Sequence, residues 1–147
     1  SNEKEKEVQG WIKIRATVDS GAADHVIPVK SFEGIPLQES EGSRSGRRYV
    51  AANGQKVANM GEKTIPMVTQ EGLPLKVTWQ VTEVVKPLLS VSKLEEMGHT
   101  VVMGGGRPRI ISKGGYVTKL QKRNGVYEVE LWVLSKHGSN AQDFQRQ

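Results

Sequence analysis

The residues best suited to chemistry lie in one short segment, Asp19-Ser20-Gly21-Ala22, at the end of an alternating apolar and polar run. A carboxylate is followed there by a hydroxyl and by two residues with little or no side chain. Gly21 can adopt backbone angles that other residues avoid. The same four residues are also typical of an ordinary turn, because Asp and Ser side chains bond to the local backbone. The tetrapeptide alone therefore leaves an acidic site and a plain turn as open interpretations.

Other kinds of site have weaker sequence support. The three histidines, His25, His99 and His137, are isolated and show no metal-ligand spacing, so no metal site is expected. A Ser-His-Asp triad is disfavoured because no Gly-x-Ser-x-Gly segment occurs. The glycines at 104–106 lack the Lys-Ser/Thr ending of a phosphate loop and indicate a turn.

The elements that must position Asp19 are predicted to be strands. Ile12, Ile14, Ala16 and Val18 alternate with polar residues, which is the period of a half-buried strand beginning at Trp11. Val26 and Ile27 form a second, short apolar segment that Pro28 ends. The residues 31–46 are expected to form a loop. Further strands are predicted at 47–51, 55–57, 62–69, 75–85, 99–103, 109–112, 116–120 and 126–134.

Tight turns and one helix connect these strands. Asn53-Gly54 predicts a hairpin in which both central residues have positive φ, and Gly114-Gly115 and Asn124-Gly125 predict two more. Ser92 with Glu95 three residues later predicts a capped helix that Gly98 ends. Leu88, Val91, Leu94 and Met97 would form its apolar stripe. About eight strands and one short helix indicate an all-β domain with the character of a small barrel.

The bulk composition restricts the partners and the compartment. A chain of 147 residues is expected to form one domain, and no apolar run approaches the ~20 residues of a membrane helix. We expect no membrane association and a cytoplasmic location, because the polar start SNEKEKE is unlike a secretory signal. Its lack of an initiating Met indicates a processed or excised piece. The net charge of +5 admits nucleic acid as a weakly supported partner.

Three segments in order resemble the retropepsin-like aspartic proteases. Asp19-Ser20-Gly21-Ala22 matches their active-site signature, the hairpin around Asn53-Gly54 stands where they have a flap, and residues 87–103 (PLLSVSKLEEMGHTVVM) match their closing strand–helix–strand unit. The Leu-Leu-Ser-Val segment is most similar to proteases of copia-type retrotransposon polyproteins. The sequence after Met103, with its Arg-Asn-Gly-Val-Tyr-Glu turn, also resembles the segment on the C-terminal side of such proteases.

Two positions depart from the retroviral pattern. Retroviral enzymes and pepsins have glycine after the apolar pair of the closing segment, where this chain has Ser90. Ala23 stands where retroviral members often have a second acidic residue, and Asp24 comes directly after it.

The resemblance implies an all-β, retropepsin-like acid-protease barrel with one short helix and a C-terminal β-hairpin extension. It implies an aspartic endopeptidase that is active as a homodimer, since each chain has one such aspartate, and that cleaves a polypeptide, its own polyprotein, without a metal or other cofactor. Asp19 would be catalytic, with Ser20, Gly21 and Ala22 supporting the loop. The implied substrate-binding residues are Ala23, Asp24, Val26, Ile27 and Leu88. The implied flap residues are Ala51, Ala52, Asn53, Gly54 and Gln55, with 41–46 as an alternative flap tip.

The expected organisation is a lead-in at 1–10, a protease domain at 11–103, a basic β extension at 104–134 and a disordered tail at 135–147. Two alternative functions stay open. One is a catalytically silent, domesticated retropepsin-like domain for dimerisation or scaffolding, and the other is a basic β module that binds nucleic acid. The acid-free cluster of Arg107, Arg109 and Lys113 is the feature that favours the latter.

Overall fold

The computed structural model describes residues 7–51 and 53–138, and it is 46% strand and 11% helix. The all-β class is therefore confirmed. The strands are β1 (Glu7–Val8), β2 (Trp11–Asp19), β3 (Val26–Ile27), β4 (Arg48–Val50), β5 (Lys56–Ala58), β6 (Gly61–Thr69), β7 (Pro74–Val81), β8 (Leu88–Ser90), β9 (Thr100–Val102), β10 (Arg109–Ile111), β11 (Val117–Lys119), β12 (Gln121–Arg123) and β13 (Val126–Leu134). The helices are α1 (Glu41–Ser45), α2 (Val91–Glu96) and a 3-10 turn (Ser135–Gly138).

Most of these strands belong to one sheet that closes on itself. The strand order is β1-β2-β8-β3-β7-β6-β13-β12, and β13 pairs additionally with β2. The antiparallel β13–β2 ladder runs from Glu128 opposite Thr17 to Leu134 opposite Trp11. Because β13 also pairs with β6, the strands β2, β8, β3, β7, β6 and β13 form a ring without a free edge.

The core fills this ring, and the period-two patterning of the long strands explains it. Along β2, Ile12, Ile14, Ala16 and Val18 point inward and are buried. On β7, Trp79 is fully buried in the same cluster. The inward residues of β13 are Val129, Leu131 and Val133. Residues 126–134 thus share one core with β2, although the sequence pattern predicted that they belong to an extension.

The short strand β8 connects the strand that carries Asp19 to β3. It lies between β2 and β3 and runs parallel to β2, with Leu88, Leu89 and Ser90 opposite Thr17, Val18 and Asp19. It meets β3 at the pair Val26 and Leu88. The closing segment of the sequence is therefore adjacent to the strand that carries Asp19.

Two small sheets lie outside the ring. The strands β4 and β5 form an antiparallel hairpin, and β9, β10 and β11 form a three-stranded sheet in the order β11-β10-β9. Ile110 and Val101 of the second sheet pack against the main core.

Several sequence predictions of element bounds were wrong. The predicted strand 75–85 ends at Val81, because Thr82 turns inward and donates its hydroxyl to the Ala58 carbonyl at 2.7 Å, and Val85 is 89% exposed. The expected lead-in contains β1, which pairs with Trp11 and Ile12. The expected tail begins with the 3-10 turn, held by the Ser135 amide on the Gly10 carbonyl at 2.8 Å. The described residues form thirteen strands, whereas about eight were expected. Strands of three residues are too short to show a periodic pattern in the sequence.

The helices also differ from the prediction. The predicted loop at 31–46 contains α1, so the alternative flap tip at 41–46 is helical and not a hairpin. The reciprocal bonds of Ser40 and Ser43 cap its start, and Gly46 ends it with φ +74°. The N-cap of α2 is Ser90, not Ser92, since the Ser90 side chain accepts the Lys93 amide. The expected stripe is only partly formed: Val91 packs against the core, whereas Met97 is 64% exposed and Leu88 lies in β8.

The two Asn-Gly turns differ from each other. At the β12–β13 turn, Asn124 and Gly125 have φ +51° and +83°, the geometry expected of a two-residue hairpin loop. At the β4–β5 turn Gly54, with φ +85°, is in the left-handed region, whereas Asn53 is not. The Asn53 side chain instead accepts the Gln55 amide at 2.9 Å, and the Ala51 amide donates to the Gln55 carbonyl at 2.8 Å. The hairpin prediction is confirmed, but its turn is of a longer kind.

Within the described ranges, no helix has the length and apolarity needed to cross a membrane.

Candidate active site

Asp19 ends β2 at the surface of the ring, and its carboxylate is partly exposed. Its Oδ1 accepts the Gly21 amide at 2.7 Å, which turns the backbone immediately after the strand. The Asp19 Oδ2 accepts no hydrogen bond from any residue that the structure describes. Ser20 and Gly21 are exposed beside it. The loop therefore presents one carboxylate oxygen to solvent and uses the other to fix its own shape.

Gly21 does not use the left-handed region that is open to glycine. Its φ is not positive, and a Cβ added there would meet Asp19 Oδ1 at 3.4 Å, an ordinary contact. Because the turn is made by the Asp19 side chain, it does not require the conformational freedom of glycine at position 21.

Ser90 holds the loop from the neighbouring strand. It is fully buried, and its Oγ donates to the Ala22 carbonyl at 2.7 Å. The same oxygen accepts the Lys93 amide at 3.0 Å and so caps α2. The Ser90 amide donates to Nδ1 of His25 at 2.9 Å. One residue therefore joins the loop, the strand β8 and the helix α2.

His25 lies behind the loop as a neutral imidazole. Burial, which disfavours the charged ring, lowers its pKa from 6.5 to about 4; nearby Asp24 opposes this shift, whereas Lys93 and His99 add to it. Its ring also lies 5.9 Å from that of Trp79. With Nδ1 accepting from Ser90, the ring proton belongs on Nε2.

Asp24 is a buried carboxylate that is paired with two partly exposed cations. It is 6% exposed, and its Oδ2 accepts from Arg47 Nη1 at 3.0 Å and from the Tyr49 hydroxyl at 2.7 Å. Lys93 Nζ lies 3.6 Å from its Oδ1. The hydrogen bond to Asp24 raises the pKa of Arg47, and burial followed by the hydrogen bond to Asp24 raises the pKa of Tyr49. Cations thus face both carboxylate oxygens.

Asn59 extends this network to the sheet and to α1. Its Nδ2 donates to the Tyr49 hydroxyl at 3.0 Å and to Gln80 Oε1 at 2.8 Å. Its Oδ1 accepts from Ser40 Oγ at 3.0 Å and from the Gly61 amide at 2.8 Å. The base of the β4–β5 hairpin is therefore bonded to the loop after Asp19 and to the ring.

The structure separates the remaining predicted site residues into two groups. Ala22 is partly exposed and Ala23 exposed beside Asp19, whereas Val26 and Ile27 are 4% and 0% exposed and pack into the core. Leu88 is partly buried. Substrate contact by these residues stays a prediction, and for Val26 and Ile27 it would require the core to open.

The predicted flap residues lie at the tip of the β4–β5 hairpin. Asn53, Gly54 and Gln55 are exposed and Ala51 is partly exposed. Ala52 lies outside the described residues. Among the described residues, Arg47 and Tyr49 at the base of the hairpin bond to the loop after Asp19, and Asn53, Gly54 and Gln55 do not.

A cavity of about 510 Å³ lies beside the network. Asp24, His25 and Lys93 line one side of it, and apolar residues such as Leu75 and Leu94 line another. Asp19 is not among its lining residues, so the cavity and the exposed carboxylate are separate features.

Sequence reasoning missed the residues that support the loop. His25 was treated as isolated, because its partner Ser90 is remote in sequence and reaches it only through the parallel β2–β8 pairing. Ser90 was noted as a departure from glycine but given no role. Arg47 and Tyr49 carried no local signal for their bonds to Asp24.

In the part of the chain that the structure describes, no group of three or more His, Cys, Asp or Glu residues is placed to hold a metal ion. Comparisons with protein-family models, with curated proteins and with solved structures found no match for this chain.

Proposed function

We propose that this chain is an aspartic endopeptidase of the retropepsin-like, copia type, which acts as a homodimer with Asp19 of each chain in the catalytic pair. The observation that carries the proposal is the placement of Asp19. Asp19 is the last residue of a strand in a closed β ring and lies opposite Ser90 of the closing segment. One of its carboxylate oxygens accepts the Gly21 amide, and the other accepts no hydrogen bond from the described residues.

The second carboxylate must come from another chain. Hydrolysis of this kind needs two carboxylates about 3 Å apart that share a proton, so that one is an acid and the other a base. The nearest acidic residue along the chain, Asp24, is buried and has Arg47 and Lys93 against its oxygens. Since Arg47 and Tyr49 occupy its Oδ2 and Lys93 faces its Oδ1, Asp24 is not placed to form the pair with Asp19. A twofold axis near the Asp19 loop would supply the partner.

In the dimer, the pair would bind one water between the carboxylates. The ionised carboxylate takes a proton from this water as its oxygen attacks the scissile carbonyl, and the protonated one donates to the carbonyl oxygen. The collapse of the tetrahedral intermediate breaks the C–N bond, and the leaving nitrogen receives a proton from the pair. The two groups titrate as a unit, so neither pKa belongs to one chain.

The hairpin supports a role in closing over the substrate. Its tip is exposed, and its base is anchored to Asp24 and Asn59 by hydrogen bonds of 2.7 to 3.0 Å. An exposed tip on a fixed base is suited to covering a bound peptide and excluding water. The substrate we infer is an extended, apolar stretch of polypeptide, the chain's own polyprotein being the first candidate.

The experiment is cleavage of a peptide library between about pH 4 and 7, with the oligomeric state measured by sedimentation at the same concentration. The Asp19→Asn variant should lose cleavage, whereas the exposed carboxylate control Glu83→Gln should retain it. A peptide with a tetrahedral hydroxyl isostere at the scissile bond should inhibit and should stabilise a dimer.

Equal cleavage by the wild-type chain and by Asp19→Asn would contradict the assignment of Asp19. A stable wild-type dimer that cleaves no peptide at any pH would contradict the protease proposal and favour a silent dimerisation module.

A further inference from the structure

The loop after Asp19 is fastened at two points to a single residue. The Ser90 hydroxyl donates to the Ala22 carbonyl at 2.7 Å, and the Ser90 amide donates to His25 Nδ1 at 2.9 Å. Ser90 itself is fixed by the pairing of β8 with β2 and by its bond from the Lys93 amide. The segment between Asp19 and His25 therefore has its geometry set by Ser90.

One of these two bonds depends on the charge of His25. Nδ1 accepts only in the neutral ring, because a protonated ring carries a hydrogen on both nitrogens. In the protonated ring, the Nδ1 hydrogen would point at the Ser90 amide hydrogen. The bond would then become a contact between two donors.

Resting on the proposed function, we propose that His25 is a positioning residue for Asp19: as a neutral imidazole it accepts the Ser90 amide and fixes the Asp19–Ala22 loop, and its protonation releases that loop.

The groups around the His25 ring determine the pH at which the ring is protonated. The ring is buried against Trp79, with Asp24 of its own loop, Lys93 of α2 and His99 after α2 as the charged or titratable neighbours. Asp24 is itself held by Arg47 and Lys93, which reduces its attraction for a proton on His25. Burial is the main reason that the pKa lies at about 4, below the ordinary 6.5.

Because the pKa of His25 is lower in the folded chain than in the unfolded chain, acid should destabilise the fold. The unfolded chain takes up the proton near pH 6.5 and the folded chain only near pH 4, so acidification favours the unfolded and released states. The stabilisation by the neutral ring is complete above pH 6.5 and is lost as the pH falls through this window.

Two substitutions of His25 distinguish its role as a hydrogen-bond acceptor from its ability to take up a proton. In His25→Asn the side-chain oxygen stands near the position of Nδ1 and accepts a hydrogen bond, but it does not titrate. In His25→Leu no acceptor remains. A histidine control is His137→Asn, in the 3-10 turn at 135–138.

The first readout is cleavage as a function of pH. We expect His25→Leu to lower kcat by about tenfold or more with little change in KM, because the loop carries the reacting carboxylate. His25→Asn should retain kcat within a few-fold and lose less activity below pH 5 than the wild type, while His137→Asn should behave as the wild type does. An acid limb that is unchanged in His25→Asn would overturn the proposal.

The second readout does not depend on activity. The NMR titration of the His25 ring and the hydrogen exchange of the Ser90 and Gly21 amides are measured on the same chain. We expect Ser90 exchange to accelerate as His25 takes up its proton and to stay slow in His25→Asn over the same range. Exchange that is indifferent to the His25 charge would overturn the positioning role. If this coupling is present but the wild-type chain cleaves nothing, the protease proposal fails and the role of His25 in fixing the loop stands.

Discussion

Ser90 performs three tasks at one fully buried position, since its hydroxyl bonds to the Ala22 carbonyl and to the Lys93 amide and its own amide bonds to His25. A glycine at this place would leave the Ala22 carbonyl and the first turn of α2 without these partners. The residue that departs from the retroviral pattern is the one on which the loop geometry depends.

Replacement of Ser90 by Ala should lower the free energy of unfolding by roughly 2 to 4 kcal/mol, because it removes a helix cap and leaves a buried carbonyl unpaired. Urea denaturation measures this change. The matched control is Ser92→Ala, two residues later on the exposed surface of α2, with an expected change within about 0.5 kcal/mol. A larger loss in Ser92→Ala would mean that the cap is Ser92.

The sequence predicted that Asp19 lies at the end of a strand, as it does, but not which residues hold the loop after it. Its role as the catalytic residue stays a prediction. His25 and Ser90 are 65 residues apart, and their contact arises only when β8 inserts between β2 and β3. The secondary-structure propensities of neighbouring residues cannot predict a contact between residues so far apart in the sequence.

The β4–β5 hairpin is held by hydrogen bonds at its base, while Asn53, Gly54 and Gln55 at its tip are exposed. Tyr49 of β4 donates to Asp24 at 2.7 Å and accepts from Asn59 at 3.0 Å, so it links the hairpin to the loop after Asp19. Arg47 adds a second link to Asp24. Since both links lie at one end, opening of the tip need not disturb Asp19.

Removal of one hydroxyl tests this anchoring. Tyr49→Phe should lower the free energy of unfolding by about 1 to 2 kcal/mol and accelerate hydrogen exchange within β4 and β5. The control is Tyr116→Phe, at a tyrosine that is 63% exposed, which should leave both quantities unchanged. Unchanged exchange in Tyr49→Phe would show that the hairpin is held by other contacts.

Elements with strong alternation were predicted well, and those fixed by tertiary contacts were not. The predicted bounds of β13 at 126–134 are those observed, and β2 begins at Trp11 and ends at Asp19, as predicted. The end of β7 was misplaced because Val84 and Val85 have strand propensity but no partner strand. The helix α1 was missed although Ser40, Ser43 and Gly46 are capping residues, since its five residues offer no apolar stripe.

At the scale of the whole molecule, β13 closes the ring. It pairs with β2 over seven positions and with β6 over two, and its inward side chains join the core of the N-terminal strands. The chain therefore buries its core only when residues near both ends of the described part have met. Such pairing is non-local and slow to form.

A cavity in β13 should consequently destabilise the entire fold. Leu131→Ala, at a side chain that is 3% exposed, should cost about 2 to 5 kcal/mol and leave a single unfolding transition seen equally by all probes. Val117→Ala, at a 45% exposed residue of β11, is the control and should cost less than about 1 kcal/mol. Two separate transitions in Leu131→Ala would indicate that 104–134 folds independently.

Catalysis should require one Asp19 from each of two chains. The most direct measurement mixes wild-type and Asp19→Asn chains at constant total concentration, after unfolding and refolding together, and records peptide cleavage. Only dimers with two Asp19 residues should be active, so activity should vary as the square of the wild-type fraction and fall to about one quarter in an equal mixture. Activity that falls in proportion to the wild-type fraction, to about one half, would contradict the paired carboxylates, as would a dimeric wild-type chain that cleaves nothing.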